Sequence, residues 1–146
     1  MIKVQVNDFD INLEIKKITS HNKNIGGIGS FIGIVRGNDD ENLKSMTLEH
    51  YPIMTEKMLE KINLKARNRW KLIDSLIIHR YGKLYPGDQI VLVATFSQHR
   101  KDALEACEFL IDWLKTKAPF WKLEETSIGK NWVKEKNSDL DAAKKW

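Results

Sequence analysis

The chain has little cysteine and no long apolar run. Both shortages limit the kinds of protein that it can be. Its 146 residues include a single cysteine, Cys107, which excludes an internal disulfide and fits a reducing compartment. No segment approaches the roughly 20 apolar residues that a membrane-spanning helix requires. Residues 1–15 alternate polar and apolar side chains without the apolar core of a signal peptide. We therefore predict a cytoplasmic protein with no membrane partner.

Two common kinds of binding motif are missing as well. The glycines of NIGGIGSFIGIVRG do not complete GxGxxG, because Ile32 stands where the third glycine belongs, and the chain contains no GKS or GKT. The four histidines have no metal-type spacing with one another or with Cys107. We predict no nucleotide loop, no metal and no cofactor. Cys107, on the apolar stripe of a helix, is interpreted as a core residue.

The charge balance is only mildly basic. The net charge is +4 and the sequence pI is near 9.1, which favours anionic ligands without singling out nucleic acid. Hydrophobic residues make up 42%, enough for one core, so we predict a single domain over residues 1–146. Lys57, Lys61 and Lys65 form a basic helix face, which is either solvated or a contact surface for an acidic partner or nucleic acid.

Hydrophobic periodicity predicts a chain of mixed α and β structure. Strands are predicted at 1–6, 9–15, 46–51, 74–82 and 88–97, and a further buried strand, preceded by a flexible glycine entry, is predicted within 24–37. Helices are predicted at 55–70 and 102–117, and turns at 40–44 and 85–88. Residues 90–96 are apolar on both strand faces, so we place that strand centrally. Thr55 is the predicted N-cap of the first helix. After Pro119, a hairpin that turns near Ile128 precedes a short terminal helix or tail, and the order of elements indicates α+β or α/β.

The segment KTKAPFWK, residues 115–122, carries the main chemical hypothesis. Pro119 disfavours helical geometry at Ala118, so Lys115 should lie at a helix end and Lys122 beyond a stiff aromatic turn. Each lysine alone has a structural explanation, because a cation suits a helix C-terminus and a strand lysine can face solvent. Two ammonium groups held close together would lower each other's pKa, and such a lysine can act as a nucleophile or proton donor.

Three further cationic residues are candidates for anion binding. His99 and Arg100 follow the central strand and precede a helix, a position where sites are often found, and arginine offers a planar fork to phosphate. A helix-start loop with solvated side chains is the alternative. Arg36, at the end of another strand, leaves the same choice between an anion site and a solvated or ion-paired side chain.

Six segments match one known family in order. They are FIGIVRG (31–37), LEHYPIMTEK (48–57), RNRW (67–70), IIHRYGKLYPGD (77–88), SQHR (97–100) and LKTKAPFWK (114–122). In these segments the chain resembles the large, catalytic subunit family of molybdopterin synthase. The resemblance implies an α+β fold of the α/β hammerhead type, with a mixed, mostly antiparallel sheet, two main helices and a small extra β subdomain.

The resemblance also implies a reaction and an assembly. The family converts precursor Z, a cyclic pyranopterin monophosphate, into molybdopterin by installing two dithiolene sulfurs. Its sulfur arrives as a thiocarboxylate on the C-terminus of a small ubiquitin-like subunit, and a homodimer of large subunits forms the centre of a heterotetramer. Two alternatives remain: a non-catalytic scaffold that binds only the small subunit, and a basic module that binds nucleic acid.

Roles for individual residues follow from the resemblance alone. Lys115 matches the family's catalytic lysine, which acts in proton transfer or in covalent capture of the partner's terminal acyl group. Lys122 matches a second catalytic lysine, which holds the pterin or stabilises negative charge. The implied substrate-binding set also contains Ile34, Val35, Arg36, His99, Arg100, Leu123 and Glu124. Leu123 stands where relatives often carry a basic residue, so its contribution would come from the backbone.

Overall fold

Strands and helices alternate through most of the computed structural model, which describes residues 1–37, 42–134 and 136–146. The strands are β1 (Ile2–Gln5), β2 (Gly27–Ile34), β3 (Ser45–His50), β4 (Leu72–Arg80), β5 (Gly82–Leu84), β6 (Gln89–Ser97), β7 (Phe120–Thr126) and β8 (Gly129–Trp132). The helices are α1 (Ile11–Thr19), α2 (Met54–Arg69), α3 (Arg100–Lys117) and α4 (Asn137–Lys144). The turn predicted at 40–44 lies partly outside the described residues.

The first sheet has the strand order β1-β4-β6-β2. β1 pairs parallel with β4, whereas β6 pairs antiparallel with both β4 and β2. The mixed sheet and the central position predicted for residues 90–96 are therefore confirmed. Side chains alternate between the two faces of a strand, so Ile77 and Val93 pack against α2 and α3, while Leu76 and Leu92 pack with Phe9 on the α1 side.

The second sheet has the order β5-β3-β7-β8 and is antiparallel throughout. It corresponds to the extra β subdomain that was expected. The hairpin of β7 and β8 turns at residues 127–128, and β8 begins at Gly129, whose φ of 137° is unfavourable for residues with a Cβ. The predicted hairpin is thus confirmed, and its first strand carries Lys122 into the second sheet.

The strand predicted at 9–15 is wrong, because α1 begins at Ile11. Asp10 caps the helix, and its Oδ1 accepts a hydrogen bond from the backbone N–H of Leu13 at 3.0 Å. Alternation of Ile11, Leu13 and Ile15 suggested a strand, but Leu13 is 54% exposed. Glu14 is buried and forms ion pairs with two lysines, which allows a carboxylate to lie on the inner side of the helix.

The predicted N-cap at Thr55 is also wrong. α2 begins at Met54, and Ile53 occupies the cap position with a φ of 71° and no side-chain cap. Thr55 is fully buried, and its hydroxyl donates to the carbonyl of Pro119 at 3.4 Å. The first turn of α2 is therefore tied to the segment that follows α3.

Candidate active site

Helix α3 ends between Lys115 and Lys122, as expected from Pro119. α3 ends at Lys117, and Ala118 adopts an extended conformation with φ −72° and ψ 131°. Lys115 therefore lies in the last helical turn, whereas Lys122 lies on β7. The two side chains reach the same space from different secondary-structure elements.

That space is a pocket of about 1030 Å³. Its lining includes the lysine pair and four more of the residues expected in the site: Ile34, Val35, Arg36 and Glu124. Its cationic side chains suit a phosphorylated or carboxylated ligand. The backbone of Val35 is already engaged, since its N–H donates to Asp88 at 2.8 Å and its carbonyl accepts from Gly87 at 2.8 Å.

The pKa of Lys122 is lowered in this pocket. Burial lowers its pKa, and the ammonium group of Lys115 lowers it further. Lys136 acts in the same direction, whereas the carboxylates of Asp139 and Glu124 oppose the shift. The lowering expected from the lysine pair is therefore found at Lys122, with burial as its largest cause.

The C-terminal segment supplies one wall that sequence reasoning missed. Val133, Lys134, Lys136 and Asp139 line the pocket, although they follow the motif-bearing region. Asp139 lies in the first turn of α4, and its carboxylate is one of the anionic groups that act on Lys122. No sequence pattern near residue 139 indicates this role, because the placement depends on how α4 packs against α3.

A buried histidine lies against Phe120, which lines the pocket, and was also missed. His79 is 7% exposed, and its ring stacks on that of Phe120 with centroids 3.7 Å apart and planes 14° from parallel. Burial lowers its pKa to about 3, and the ammonium groups of Lys122 and Lys115 contribute to the lowering. The only sequence signal was a histidine within an apolar strand.

Three expected site residues lie outside this pocket in the single chain. His99 precedes α3 and Arg100 begins it, at the opposite end from Lys115. At 1.5 Å per residue the Cα atoms of Arg100 and Lys115 are roughly 22 Å apart. Leu123 follows Lys122 on β7, so its side chain points to the other face of the sheet.

The described part of the chain contains neither a reactive thiol nor a cluster of metal-ligating side chains. Cys107 is buried, as predicted, and burial raises its pKa to about 11, so a thiolate is disfavoured. No group of three or more His, Cys, Asp or Glu residues could hold a metal ion within the described ranges. No described helix is both long and apolar enough to cross a bilayer.

Comparison with known proteins identifies the family. The family model described as MoaE protein matches residues 4–117. A molybdopterin synthase catalytic subunit from Ralstonia nicotianae is 51% identical over 146 residues, which cover 99% of this chain and 83% of that protein. The chain belongs to the MoaE family.

Solved structures of this family extend the likeness to the fold. The MoaE protein from Burkholderia ambifaria superposes with a TM-score of 0.86 at 49% identity, covering 100% of this chain and 97% of that one. A chain from a complex of subunits 1 and 2 of molybdopterin-converting factor from Helicobacter pylori superposes with a TM-score of 0.77 at 26% identity, covering 92% and 91%. The α+β fold expected from the family resemblance is confirmed.

Proposed function

We propose that the chain is the catalytic subunit of a molybdopterin synthase and installs the dithiolene sulfurs of molybdopterin on precursor Z. One observation carries this proposal at the level of residues: Lys115 and Lys122 enter a single pocket from two elements, with Arg36 in its lining. The cyclic phosphate of the substrate would bind to these cations. We further propose a cytoplasmic location, in keeping with the lone cysteine.

The sulfur would be delivered by a small ubiquitin-like subunit whose C-terminus carries a thiocarboxylate. Support comes from the pocket, whose cations suit an anionic tail, and from Cys107, whose buried thiol has a raised pKa and is poorly suited to carry sulfur. The related Helicobacter pylori structure is a complex of two subunits. A heterotetramer with two copies of this chain at its centre is the assembly we propose.

Within the pocket the two lysines would have different tasks. Lys122, half-buried and with a lowered pKa, would hold the pterin or stabilise developing negative charge. Lys115 would act in one of two ways. It would transfer a proton, or its neutral amine would form an amide with the partner's terminal carbonyl carbon as the carbon–sulfur bond breaks and sulfide is released to the pterin.

A dimer would explain why His99 and Arg100 lie far from Lys115 in one chain. β2 is an edge strand of the first sheet, and the sequence GIGSFIGI has no charged residue that would block pairing. Gly27, at its start, lies against Arg100, where an added Cβ would come within 3.4 Å of the Arg100 Cα. Ile34, at its end, lines the pocket. Two copies joined antiparallel through β2 would bring Arg100 of one beside the pocket of the other.

Reconstitution tests the reaction. The purified chain, a thiocarboxylated small subunit and precursor Z are combined, and dithiolene product is measured. We expect turnover that Lys115→Ala reduces by at least about 100-fold, as for loss of a catalytic group, with unchanged circular dichroism. Normal turnover by Lys115→Ala would refute the assignment. Intact mass after turnover separates the two roles, because only covalent capture adds the mass of the partner, without its thiocarboxylate sulfur, to this chain.

Subunit mixing tests the shared site. Lys115→Ala and Arg100→Ala chains are each inactive in the proposal, but a mixed dimer has one site with both residues intact. Random exchange makes half of the dimers mixed, so the mixture should recover roughly a quarter of wild-type activity. No recovery, with exchange verified by native mass spectrometry, would place both residues in the same chain's site. An Arg100→Ala chain that is active before mixing would remove Arg100 from the site.

A further inference from the structure

Four rings join the two sheets beside the pocket. His79, near the end of β4, stacks on Phe120 of β7. Tyr81, which follows β4, packs against His50 of β3 with centroids 4.3 Å apart and planes 42° from parallel. His50 and Phe120 are themselves partners in the β3–β7 register, with ring centroids 6.1 Å apart. We call these four residues the aromatic joint.

His79 is held in one orientation and one protonation state. Its Nδ1 lies 2.9 Å from the backbone carbonyl of Arg80. Because a carbonyl only accepts hydrogen bonds, Nδ1 carries a proton. Nε2 carries none when the ring is neutral. Burial and the nearby ammonium groups lower the pKa to about 3, so the ring is neutral at pH 7. A neutral ring adds no third positive charge beside Lys115 and Lys122.

The joint connects the two elements that carry the lysines. Lys115 belongs to α3, which packs against β2 and β6 of the first sheet. Lys122 belongs to β7 of the second sheet, and it lies on the same strand face as Phe120 because the two residues are two positions apart. The stack of Phe120 on His79 therefore holds the strand face of Lys122 against the sheet on which α3 rests.

We propose that the aromatic joint sets the position of Lys122 opposite Lys115, with His79 and His50 as positioning residues. His79 supplies a flat surface that orients Phe120, and the Tyr81–His50 contact braces the neighbouring strand. Removing a ring opens the buried side of the pocket to water and lets β7 shift relative to α3. The expected effect on turnover rests on the function proposed above. The expected effect on the pKa of Lys122 does not.

An NMR titration of Lys122 tests the joint without substrate or partner. The Cε resonances are followed with pH in the labelled full chain and assigned with Lys122→Arg. In His79→Ala we expect the pKa of Lys122 to rise towards the ordinary lysine value, since burial is the largest cause of its lowering. The charged groups that act on Lys122, namely Lys115, Lys136, Asp139 and Glu124, are unchanged in this variant.

Two variants separate positioning from general loss of stability. His79→Phe keeps a stacking ring and should leave the Lys122 titration as in the wild type. Phe9→Leu makes a cavity in the apolar cluster on the α1 side of the first sheet and should lower stability without moving that titration. Where His79→Ala does not fold, Tyr81→Leu, which removes a half-buried ring from the same joint, takes its place.

Turnover supplies the second readout. A displacement of about 1 Å at a reacting group typically costs about 100-fold, so we expect His79→Ala to lose between about 10- and 100-fold in kcat/KM and to shift the pH profile with the Lys122 titration. An unchanged Lys122 titration in both His79→Ala and Tyr81→Leu would overturn the inference. A shifted titration in a protein whose wild type shows no sulfur transfer would leave the joint established and refute the proposed function instead.

Discussion

The hydroxyl of Thr55 donates a hydrogen bond to the carbonyl of Pro119, 64 positions along the chain, at 3.4 Å. This contact links the first turn of α2 to the turn between the two pocket lysines. Thr55 is fully buried, so water cannot replace the hydroxyl. The backbone N–H of Phe120 donates to Ala118 at 2.9 Å across the same turn, which makes the proline segment a braced connection.

Replacing Thr55 by valine should loosen this connection with little change in shape. The variant removes the donor from the half-buried carbonyl of Pro119, and we expect a loss of about 1 kcal/mol in the free energy of unfolding, measured by urea denaturation. Thr55→Ser retains the hydroxyl and is the matched control for turnover, which should fall only in Thr55→Val. A Thr55→Val chain as stable and as active as the wild type would show that the hydrogen bond is unimportant.

Much of this arrangement follows from local patterns. Pro119 breaks the helix whatever surrounds it, because proline restricts the residue before it and has no N–H to donate. The separation of Lys115 and Lys122 onto a helix and a strand was therefore predictable. The central position of β6 was equally predictable, since a strand that is apolar on both faces must be covered on both.

Gly29 should be the glycine of β2 that tolerates replacement least. A Cβ at this position would come within 2.4 Å of the Ala103 carbonyl oxygen, and that oxygen is already held by the Thr95 hydroxyl at 2.6 Å. Gly29→Ala must push α3 away from the sheet, and we expect a loss of about 2–3 kcal/mol in the free energy of unfolding. Urea denaturation measures it.

Gly37→Ala is the control for this prediction. The closest atom to an added Cβ there is the Pro86 Cβ at 3.9 Å, an ordinary contact, so the free energy of unfolding should change by less than about 0.5 kcal/mol. Equal stability of the two alanine variants would mean that β2 and α3 separate without cost.

His79 should make the fold sensitive to moderate acid. Its pKa is about 3 in the folded chain, compared with an ordinary value of 6.5, so below pH 6.5 the unfolded chain binds a proton that the folded chain does not. Stability from this group is therefore lost as the pH falls from about 6.5 towards 3, by about 2 kcal/mol between pH 7 and pH 5. Urea denaturation across this range should show the loss in the wild type.

His79→Phe isolates this contribution from the carboxylates, which also titrate in acid. It should be somewhat less stable at pH 7, because the Arg80 carbonyl loses its donor, but its stability should fall less steeply towards pH 5. Parallel pH dependence in the two chains would contradict the burial of a neutral imidazole. The measurement does not depend on any assigned function.

The parts that sequence patterns did not predict depend on contacts between distant segments. The alternation of polar and apolar residues at 9–15 fits a strand as well as a helix. The two are distinguished by the side chain of Asp10, which caps the helix by accepting a hydrogen bond from the Leu13 N–H. The sequence around His79 is typical of an ordinary core histidine, and only its stack on Phe120 connects it to the pocket. Asp139 reaches the pocket only through the packing of α4 on α3, which no local pattern encodes.

Trp146 should hold α4 in that packed position. Its ring lies against Trp70 and Phe109, with centroids 5.6 and 5.8 Å away, its indole N–H donates to Asp112, and its backbone oxygen accepts from Arg69 at 3.2 Å. Loss of this half-buried ring in Trp146→Ala should weaken docking of α4 by about 2 kcal/mol. Hydrogen exchange of the α4 amides should then accelerate by about 30-fold, while β6 exchanges as before.

Trp132→Ala is the matched control, because that tryptophan is 54% exposed on β8 and its removal should leave the α4 amides unaffected. Unchanged exchange in Trp146→Ala would mean that Lys145 and its ion pair with Glu108 suffice to dock the helix. Uniformly faster exchange across the whole chain would instead assign the ring to global stability. Faster exchange confined to the α4 amides would show that α4 undocks locally. Because Asp139 lies on α4 and lines the pocket, this helix would then be a separately docked wall of the pocket.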